Sequence, residues 1–193
     1  MWRRFWRACE RAQRGWGHVR LTLWLRRAGG VGAEVGSWQG DSAARFLRWA
    51  RPAQLYLVDP WVHSDDRPHA LYGGPGGQAR MDDLYAGVLA RFSRQIEEGR
   101  VVICRAHSLD AAAELPALDW AYIDGDHTYD GALADLEAYW PLLKPGGLLT
   151  GDDYRCVGWW EDGVTRAVKE FCQARSCQAR IMGSQFLIKK PPE

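Results

Sequence analysis

Three carboxylates that follow two apolar runs form the most chemically informative pattern in this chain. Asp124 comes directly after the run from Trp120 to Ile123, and Asp152 and Asp153 end a second run that begins at Leu148. If the two runs are parallel neighbouring strands, the acidic side chains emerge together at the carboxyl edge of one sheet. Like charges held this close repel, and a divalent ion bound through oxygen relieves the repulsion. The pattern therefore predicts a site for Mg²⁺ or another divalent cation, with solvated loop residues or helix caps as the alternative.

The segment between the two runs predicts the helix that parallel neighbouring strands need. From Tyr129 to Leu143, apolar residues recur at three- and four-residue spacing, which is one face of a helix. The sequence Lys144-Pro145-Gly146-Gly147 then ends the helix, with a cation in its last turn and glycine beyond it.

Upstream lies a strand that runs into a glycine-rich turn, the pattern of a nucleotide-binding turn. The strand begins at Val31, and the helix predicted after the turn runs from Ser42 to Trp49. Gly36 allows the backbone to turn tightly, and Gly40 allows the helix to begin close to a ligand. The turn lacks the full G-x-G-x-x-G pattern, because Trp38 stands where a glycine is usual.

The next two strands supply further candidate ligand contacts. Leu55 to Val58 ends in Asp59, about 20 residues beyond the glycine turn, where an acid is placed to accept hydrogen bonds from ribose hydroxyls. Capping of the following turn is the alternative role for Asp59. Val101 to Arg105 is the third strand, and the hydroxyl of Ser108 at its end is expected to face the adenine side of a cofactor.

Two further segments flank this predicted site. Residues 61–80 are rich in glycine and too long for a simple strand-to-helix connection, so we interpret them as a substrate-side loop before a helix over 81–98. Trp159 and Trp160 form either an apolar wall for a substrate or part of the core. After a helix over 164–174, two short strands around Gly183-Ser184 predict a hairpin.

Composition describes one ordinary globular domain. The chain has 193 residues, of which 47% are hydrophobic, and no apolar run reaches the length of a membrane-spanning helix. The five cysteines show no C-x-x-C spacing, which indicates reduced thiols inside a cell, and we expect a cytoplasmic protein.

Positive charge is concentrated at the N-terminus. Residues 1–27 carry eight arginines against one acid, leaving 17 basic and 23 acidic residues elsewhere, so no nucleic-acid partner is expected. We predict that 1–27 is a separate helical segment and that 28–193 is the main domain. Its Trp/Arg face could lie on an anionic membrane surface, close over a substrate, or pack on the domain.

The chain resembles the class I S-adenosylmethionine (SAM)-dependent methyltransferases over nearly its whole length. The sequence EVGSWQG, which includes Ser37, looks like the glycine motif of that family, and the resemblance places Glu34 toward the methionine part and Asp59 toward the ribose. More specific is IDGDHTYDGALADLEAYWPLLKPGGLLTGDDY, which resembles the small metal-dependent O-methyltransferases related to macrocin-type sugar O-methyltransferases. In those relatives the DGD and DDY motifs supply the metal ligands, here Asp124, Asp152 and Asp153.

The resemblance also implies a fold and a reaction. The fold is α/β and Rossmann-like: a seven-stranded, mostly parallel sheet with helices on both faces and an antiparallel C-terminal hairpin. The reaction is methyl transfer to a hydroxyl of a sugar, glycan or natural product. Catechol-type relatives carry a lysine base three residues after the first aspartate. Here His127 holds that position and is the candidate base, with Asp126 as the alternative.

Two other functions fit parts of the sequence. A NAD(P)-dependent oxidoreductase would explain the glycine turn and Asp59, but not the acidic pair at 152–153. A non-catalytic adaptor would use the N-terminal helix to hold a partner or a membrane. For the methyltransferase we expect a small-molecule or glycan substrate and a homo-oligomeric state.

Overall fold

The computed structural model describes residues 17–66 and 71–192, which form one seven-stranded sheet with helices on both faces. The strands are β1 (Val31–Val35), β2 (Gln54–Asp59), β3 (Val101–Arg105), β4 (Leu118–Ile123), β5 (Leu143–Gly151), β6 (Ala179–Met182) and β7 (Gln185–Lys189). The helices are α1 (17–28), α2 (Asp41–Arg45, continued by a π-helical turn Phe46–Ala50), α3 (Gly77–Arg91), α4 (Ser93–Glu97), α5 (Ser108–Glu114), α6 (Tyr129–Leu142) and α7 (Gly163–Ala174).

The strand order is β3-β2-β1-β4-β5-β7-β6. The first five strands are parallel, and β7 runs antiparallel to both β5 and β6. The predicted Rossmann-like sheet with an antiparallel C-terminal hairpin is therefore confirmed. Strands β2 and β3 are added on one side of β1, and β4 and β5 are added on the other side, so the order of the strands reverses between β1 and β4. In such sheets, ligands bind beyond the carboxyl ends of the strands at this switch point.

The register of the central strands aligns the predicted site residues. Val35 of β1 pairs with Ile123 of β4, and Ile123 pairs with Gly151 of β5. The residues that follow these three positions, Gly36, Asp124 and Asp152, are therefore neighbours at one edge. This adjacency follows from the apolar β1, β4 and β5, which are buried on both faces as parallel strands usually are.

Two apolar clusters hold the helices on the sheet. On one face, helices α6 and α7 pack through side chains such as Leu136, Tyr139 and Phe171. On the other face, α1, α2 and α3 pack through side chains such as Leu25 and Phe46. Each side chain of this kind contributes about 1.5–3 kcal/mol when it is fully buried.

Some element boundaries differ from the sequence-based predictions. The single helix predicted over 81–98 is wrong: it is divided into α3 and α4 at Phe92, which leaves helical geometry (φ −110°, ψ 14°). Phe92 is buried, and its ring fills the space beside Gly40, so tertiary packing overrides the local helical periodicity. Helix α3 also begins at Gly77, inside the predicted loop 61–80.

The N-terminal prediction is covered only in part. The predicted Trp/Arg face over residues 2–16, like Cys9, lies outside the described residues. Residues 17–28 are helical, and Leu21 and Leu25 are fully buried in the core, so this part of the segment packs on the sheet. Within the described chain, no helix is long and apolar enough to cross a membrane. The described cysteines are free thiols.

Candidate active site at the carboxyl edge of the sheet

A cavity of about 1170 Å³ opens along the carboxyl edge of the parallel strands. Residues that follow every strand from β1 to β5 line it. They include Gly36, Asp59, Ser108, Gly125, Asp126, His127 and Asp153. The fold thus brings five of the ten sequence-predicted site residues to one cavity, although they are separated by up to 117 positions along the chain (36 to 153).

The glycine turn after β1 is built against the neighbouring strands. Gly36 has φ 84°, and its N–H donates to the carbonyl of Val58 at 2.9 Å. A β-carbon on Gly36 would collide with the carbonyl oxygen of Asp124. Only glycine combines this conformation with this close approach. The turn closes through the N–H of Gly40, which donates to the carbonyl of Ser37 at 2.7 Å.

Glu34, in the middle of β1, is an almost fully buried carboxyl group. Its Oε2 atom makes no hydrogen bond within the described residues. Burial raises the pKa of Glu34 well above its ordinary value, and the nearby charge of Asp124 raises it further. A buried acceptor without a partner is costly, and such groups in native structures usually serve a ligand or a proton.

Asp59 ends β2 and is fully buried. Its Oδ1 atom accepts from the N–H of Trp61 at 2.8 Å, and its Oδ2 atom accepts from the N–H of Trp38 at 2.8 Å. The hydroxyl of Tyr72 donates to the same Oδ2 atom. Burial raises the pKa of Asp59, and these hydrogen bonds partly offset the effect. Asp59 therefore connects the glycine turn to the loop after β2, at the place predicted for a ribose.

The acidic cluster forms, with His127 at its centre. One ligand atom each from Asp124, His127 and Asp153 lies within 4.8 Å of the other two. Nε2 of His127 is 3.4 Å from Oδ1 of Asp124, and Nδ1 is 3.3 Å from Oδ2 of Asp153. Burial raises the pKa of the Asp124 carboxyl to about 7, with the charges of Asp152 and Asp153 adding to the effect. Burial alone would lower the pKa of His127, but the hydrogen bond and charge of Asp124 outweigh it and raise the pKa.

Asp152, predicted as a metal ligand, lies at the edge of this cluster. Its Oδ1 atom accepts from the N–H of Asp153 at 2.7 Å, and its Oδ2 atom is 3.6 Å from Nε2 of His18 in α1. Asp153 itself has a left-handed backbone (φ 58°), a conformation that non-glycine residues adopt at a cost. Such strain is common where a side chain must be aimed at a functional site.

The tryptophans after β5 form one wall of the cavity. Trp160 meets the imidazole of His127 edge-on, with ring centroids 4.8 Å apart, and Trp159 meets Trp160 at 5.7 Å. Both tryptophans line the cavity, and Trp159 is 46% exposed. The interpretation as an apolar substrate wall therefore agrees better with their positions than the alternative of core packing.

Two residues of the cavity wall were missed by the sequence analysis. Tyr72 lies in a glycine-rich stretch that gives no periodic signal. Asp135 does carry a signal: it falls on the apolar face of α6, between Ala132 and Tyr139, and is 3% exposed. A carboxyl group at a core-facing helical position is unusual, and it points to a specific role for the side chain.

Comparisons with known proteins agree with this geometry. A family profile described as a methyltransferase domain matches residues 33–154, which is more than half of the chain. A search of curated proteins finds no significant match.

Several solved structures share the fold at low sequence identity. A methyltransferase from Geobacter sulfurreducens is 16% identical with a TM-score of 0.61, covering 91% of this chain and 78% of that one. An O-methyltransferase from Bacillus cereus, solved with S-adenosylhomocysteine (SAH), is 15% identical with a TM-score of 0.60, covering 90% and 80%. The O-methyltransferase TomG from Streptomyces achromogenes, involved in tomaymycin synthesis and solved with SAM, is 13% identical with a TM-score of 0.60, covering 92% and 79%.

The matched region, from Ala33 to Tyr154, includes the glycine turn and the buried acid after β2. It also includes most of the parallel part of the sheet. The resemblance read from the sequence is thereby confirmed at the level of the family. This chain belongs to the methyltransferase-domain family.

Proposed function

We propose that this protein transfers a methyl group from SAM to a hydroxyl oxygen of a small-molecule acceptor, with the help of a bound divalent cation. The observation that carries the proposal is the cluster of Asp124, His127 and Asp153 beside the cavity that Gly36 and Asp59 also line. One cavity thus offers both a nucleoside-binding edge and a cation site.

The cofactor assignment is supported by the elements at the β1 and β2 ends. The cofactor needs a tight turn, an acceptor for ribose hydroxyls and an acceptor for an ammonium group. The close approach of the Gly36 backbone, the buried Asp59 and the unpaired Oε2 of Glu34 provide them in that order. Two structures that share this fold were solved in complex with SAH or SAM. SAM supplies the methyl group, and the protein's part is to align the acceptor oxygen with it.

The cluster fits a divalent cation by its donor set. It offers two carboxylates and one imidazole, and Nε2 of His127 has only the long 3.4 Å contact with Oδ1 of Asp124 in the described chain. Imidazole suits transition-metal ions such as Fe²⁺ and Zn²⁺ better than Mg²⁺, which prefers oxygen. We therefore propose a transition-metal ion in place of Mg²⁺. A bound cation of this kind orients an acceptor hydroxyl and lowers its pKa.

This assignment changes the role proposed for His127. Its two ring nitrogens each face a carboxylate of the cluster, so the imidazole acts as a ligand instead of the general base. Asp126 then becomes the candidate to take the proton of the acceptor. Its side chain lines the cavity next to His127, and its Oδ1 atom accepts from the N–H of Thr128 at 3.0 Å, which orients the carboxylate.

The acceptor is proposed to lie against Trp159 and Trp160. Tryptophan faces bind both sugar rings and flat natural products, because each presents apolar surface together with polar edges. The resemblance of the central motif to sugar O-methyltransferases favours a hydroxyl on a sugar, glycan or natural product. Homo-oligomer formation and the domain boundary at residue 27 stay predictions.

The proposal is tested by ligand binding to the full-length protein. Calorimetry should show binding of SAM and SAH, and no binding of NAD, which would be preferred by a nicotinamide-dependent oxidoreductase. Mn²⁺ binding, followed by electron paramagnetic resonance, should be lost in Asp153→Asn. Binding of NAD in preference to SAM would overturn the proposed function.

A contact with an anionic membrane surface is a second, separate proposal. The outer sides of α1 and α2 carry exposed apolar residues among arginines and make up what we call the basic face. Its members are Val19, Arg20, Leu23, Arg26, Arg27, Arg45, Arg48, Trp49 and Arg51. Apolar side chains among cations are typical of surfaces that rest on anionic lipid.

A further inference from the structure

The end of α7 brings two cysteine side chains together, away from the cavity described above. Cys172 lies in the last turn of α7, and Cys177 follows the helix, before β6 begins. Both side chains are half-buried, and both pack against the apolar cluster that holds α6 and α7 on the sheet. The sequence alone did not indicate a pair, because four residues separate the two cysteines.

A Schellman motif ends α7 and fixes the positions of both cysteines. The N–H of Cys177 donates to the carbonyl of Cys172 at 3.0 Å, and the N–H of Ser176 donates to the carbonyl of Gln173 at 3.2 Å. These are the two hydrogen bonds of the motif, and they place Cys172 and Cys177 at the positions whose side chains usually contact each other. Ser176 has the left-handed conformation that the motif requires (φ 50°). The backbone therefore holds the two thiols side by side.

The two thiols differ in their readiness to react. The Cys172 thiol is hydrogen-bonded to Cys177. Burial raises the pKa of Cys172 to about 12, and the charge of Cys177 and this hydrogen bond add to the effect. Because the thiolate is the reacting form, Cys177 is the thiol that attacks first. Once Cys177 carries a substituent, its charge no longer opposes ionisation of Cys172, which is then able to attack in turn.

We propose that Cys172 and Cys177 are a reversible redox site that exchanges with low-molecular-weight disulfides such as oxidised glutathione. The Cys177 thiolate attacks one sulfur of the glutathione disulfide, which forms a mixed disulfide and releases a glutathione thiolate. The Cys172 thiolate then attacks the Cys177 sulfur, which closes the protein disulfide and releases a second glutathione thiolate. The two protein thiols are oxidised, one glutathione disulfide is reduced to two thiols, and the protons of the protein thiols pass to the released thiolates.

This site is separate from the site of methyl transfer, and the inference does not depend on the proposed function. Gly163 begins α7 against the carbonyl of His127, whereas the cysteines lie at the other end of the helix. A helix of 12 residues is about 18 Å long. The disulfide would join the end of α7 to the segment before β6, and its half-buried position is typical of disulfides that are readily reduced again.

Peptide mapping of the full-length protein tests the proposal. The protein is treated with oxidised glutathione under native conditions, the remaining thiols are alkylated, and the tryptic peptides are analysed by mass spectrometry. Trypsin cleaves after Arg175, between the two cysteines, so the disulfide would join two separate peptides. We expect this linked pair to be the main product at these positions. Its yield should fall several-fold when the treatment is made in urea, because the unfolded chain no longer holds the thiols together.

Single variants separate the two steps. Cys172→Ser should retain glutathione on Cys177 as a stable mixed disulfide, because no second thiol displaces it. Cys156→Ser is the matched control: Cys156 is another half-buried free cysteine, and its loss should leave the linked pair unchanged. Alkylated thiols or glutathione adducts at both positions of the wild-type protein, without the linked pair, would overturn the inference. An equal yield of the linked pair in urea would overturn it as well.

Discussion

The Nδ1 atom of His127 lies 3.3 Å from the Oδ2 atom of Asp153, and the Nε2 atom of the same ring faces Asp124. The imidazole therefore bridges the two strand ends from which the carboxylates emerge. A bridging histidine can be a ligand, or it can be a neutralising cation that takes the place of a metal ion. The two roles predict opposite responses to metal and to substitution.

Asp153→Asn should abolish tight Mn²⁺ binding and lower methyl transfer by on the order of 10²-fold, because one preorganised electrostatic group is lost. Asp152→Asn is the matched control. The Asp152 oxygens are engaged by the N–H of Asp153 and lie near His18, and an amide keeps the Oδ1 acceptor, so a smaller effect is expected. Mn²⁺ titration by electron paramagnetic resonance measures the first effect, and transfer of a labelled methyl group with and without chelator measures the second. Equal losses of activity in both variants would mean that Asp152 is also a ligand. Full activity in the presence of chelator would mean that the reaction needs no metal ion.

Asp59→Asn should weaken SAH binding about tenfold, because a hydrogen bond with charged character contributes roughly 1.5–3 kcal/mol. Tyr72→Phe serves as the companion variant, since it removes only the hydroxyl that donates to Oδ2 of Asp59. Calorimetry on both variants separates the two contributions. Unchanged SAH affinity in folded Asp59→Asn would contradict the ribose assignment.

Asp135→Asn should stabilise the ligand-free protein in a pH-dependent way. Burial raises the Asp135 pKa from 3.8 to about 6 in the folded state, so the folded protein binds the proton more tightly than the unfolded chain. At a pH below both pKa values, Asp135 does not affect the unfolding free energy of the wild-type protein. As the pH rises from about 4 to about 6, the buried carboxylate ionises and the unfolding free energy falls. The cost levels off above pH 6 at about 3 kcal/mol.

Urea unfolding at pH 4.5 and pH 7.5 tests this prediction. The gain in unfolding free energy of Asp135→Asn over wild type should be larger at pH 7.5. Asp110→Asn, at an exposed position on α5, should show no such difference between the two pH values. A gain that is equal at both pH values would mean that the Asp135 carboxyl titrates normally.

The sequence predicted the sheet and its functional edge because both are encoded locally. The apolar runs before Asp59, Asp124 and Asp152 are short, continuous and ended by turn residues, as buried parallel strands are. Glycine positions were equally readable, because Gly36 and Gly40 adopt conformations that other residues avoid. These features required no knowledge of the tertiary contacts.

What could not be read from the sequence depends on contacts between distant segments. The break at Phe92 reflects packing beside Gly40, 52 positions away. His127, expected as a base, lies between Asp124 and Asp153, which come together because β4 and β5 are neighbours in the sheet. Tyr72 reaches Asp59 through the fold of a glycine-rich loop, for which periodicity gives no information.

The basic face makes the last prediction, which concerns anionic membranes. Val19, Leu23 and Trp49 are 54%, 56% and 54% exposed on α1 and the end of α2. The guanidinium of Arg48 lies 5.0 Å from the Trp49 ring, so cation and apolar surface are presented together. Burial of aliphatic side chains in a bilayer surface is favourable because it removes apolar surface from water. Contact with nucleic acid would not bury these side chains in an apolar environment.

We expect the full-length protein to bind vesicles that contain anionic lipid and not vesicles of neutral lipid, and binding should weaken as salt screens the arginines. Leu23→Glu should reduce binding several-fold, because it removes apolar surface and adds a repelled charge. Leu109→Glu is the matched control: Leu109 is 51% exposed, but α5 packs on the opposite face of the sheet from α1. Co-sedimentation measures all three proteins. The basic face would not be a membrane contact if the protein failed to bind anionic vesicles at low salt, or if Leu109→Glu reduced binding as much as Leu23→Glu. Its arginines would then be an ordinary solvated surface.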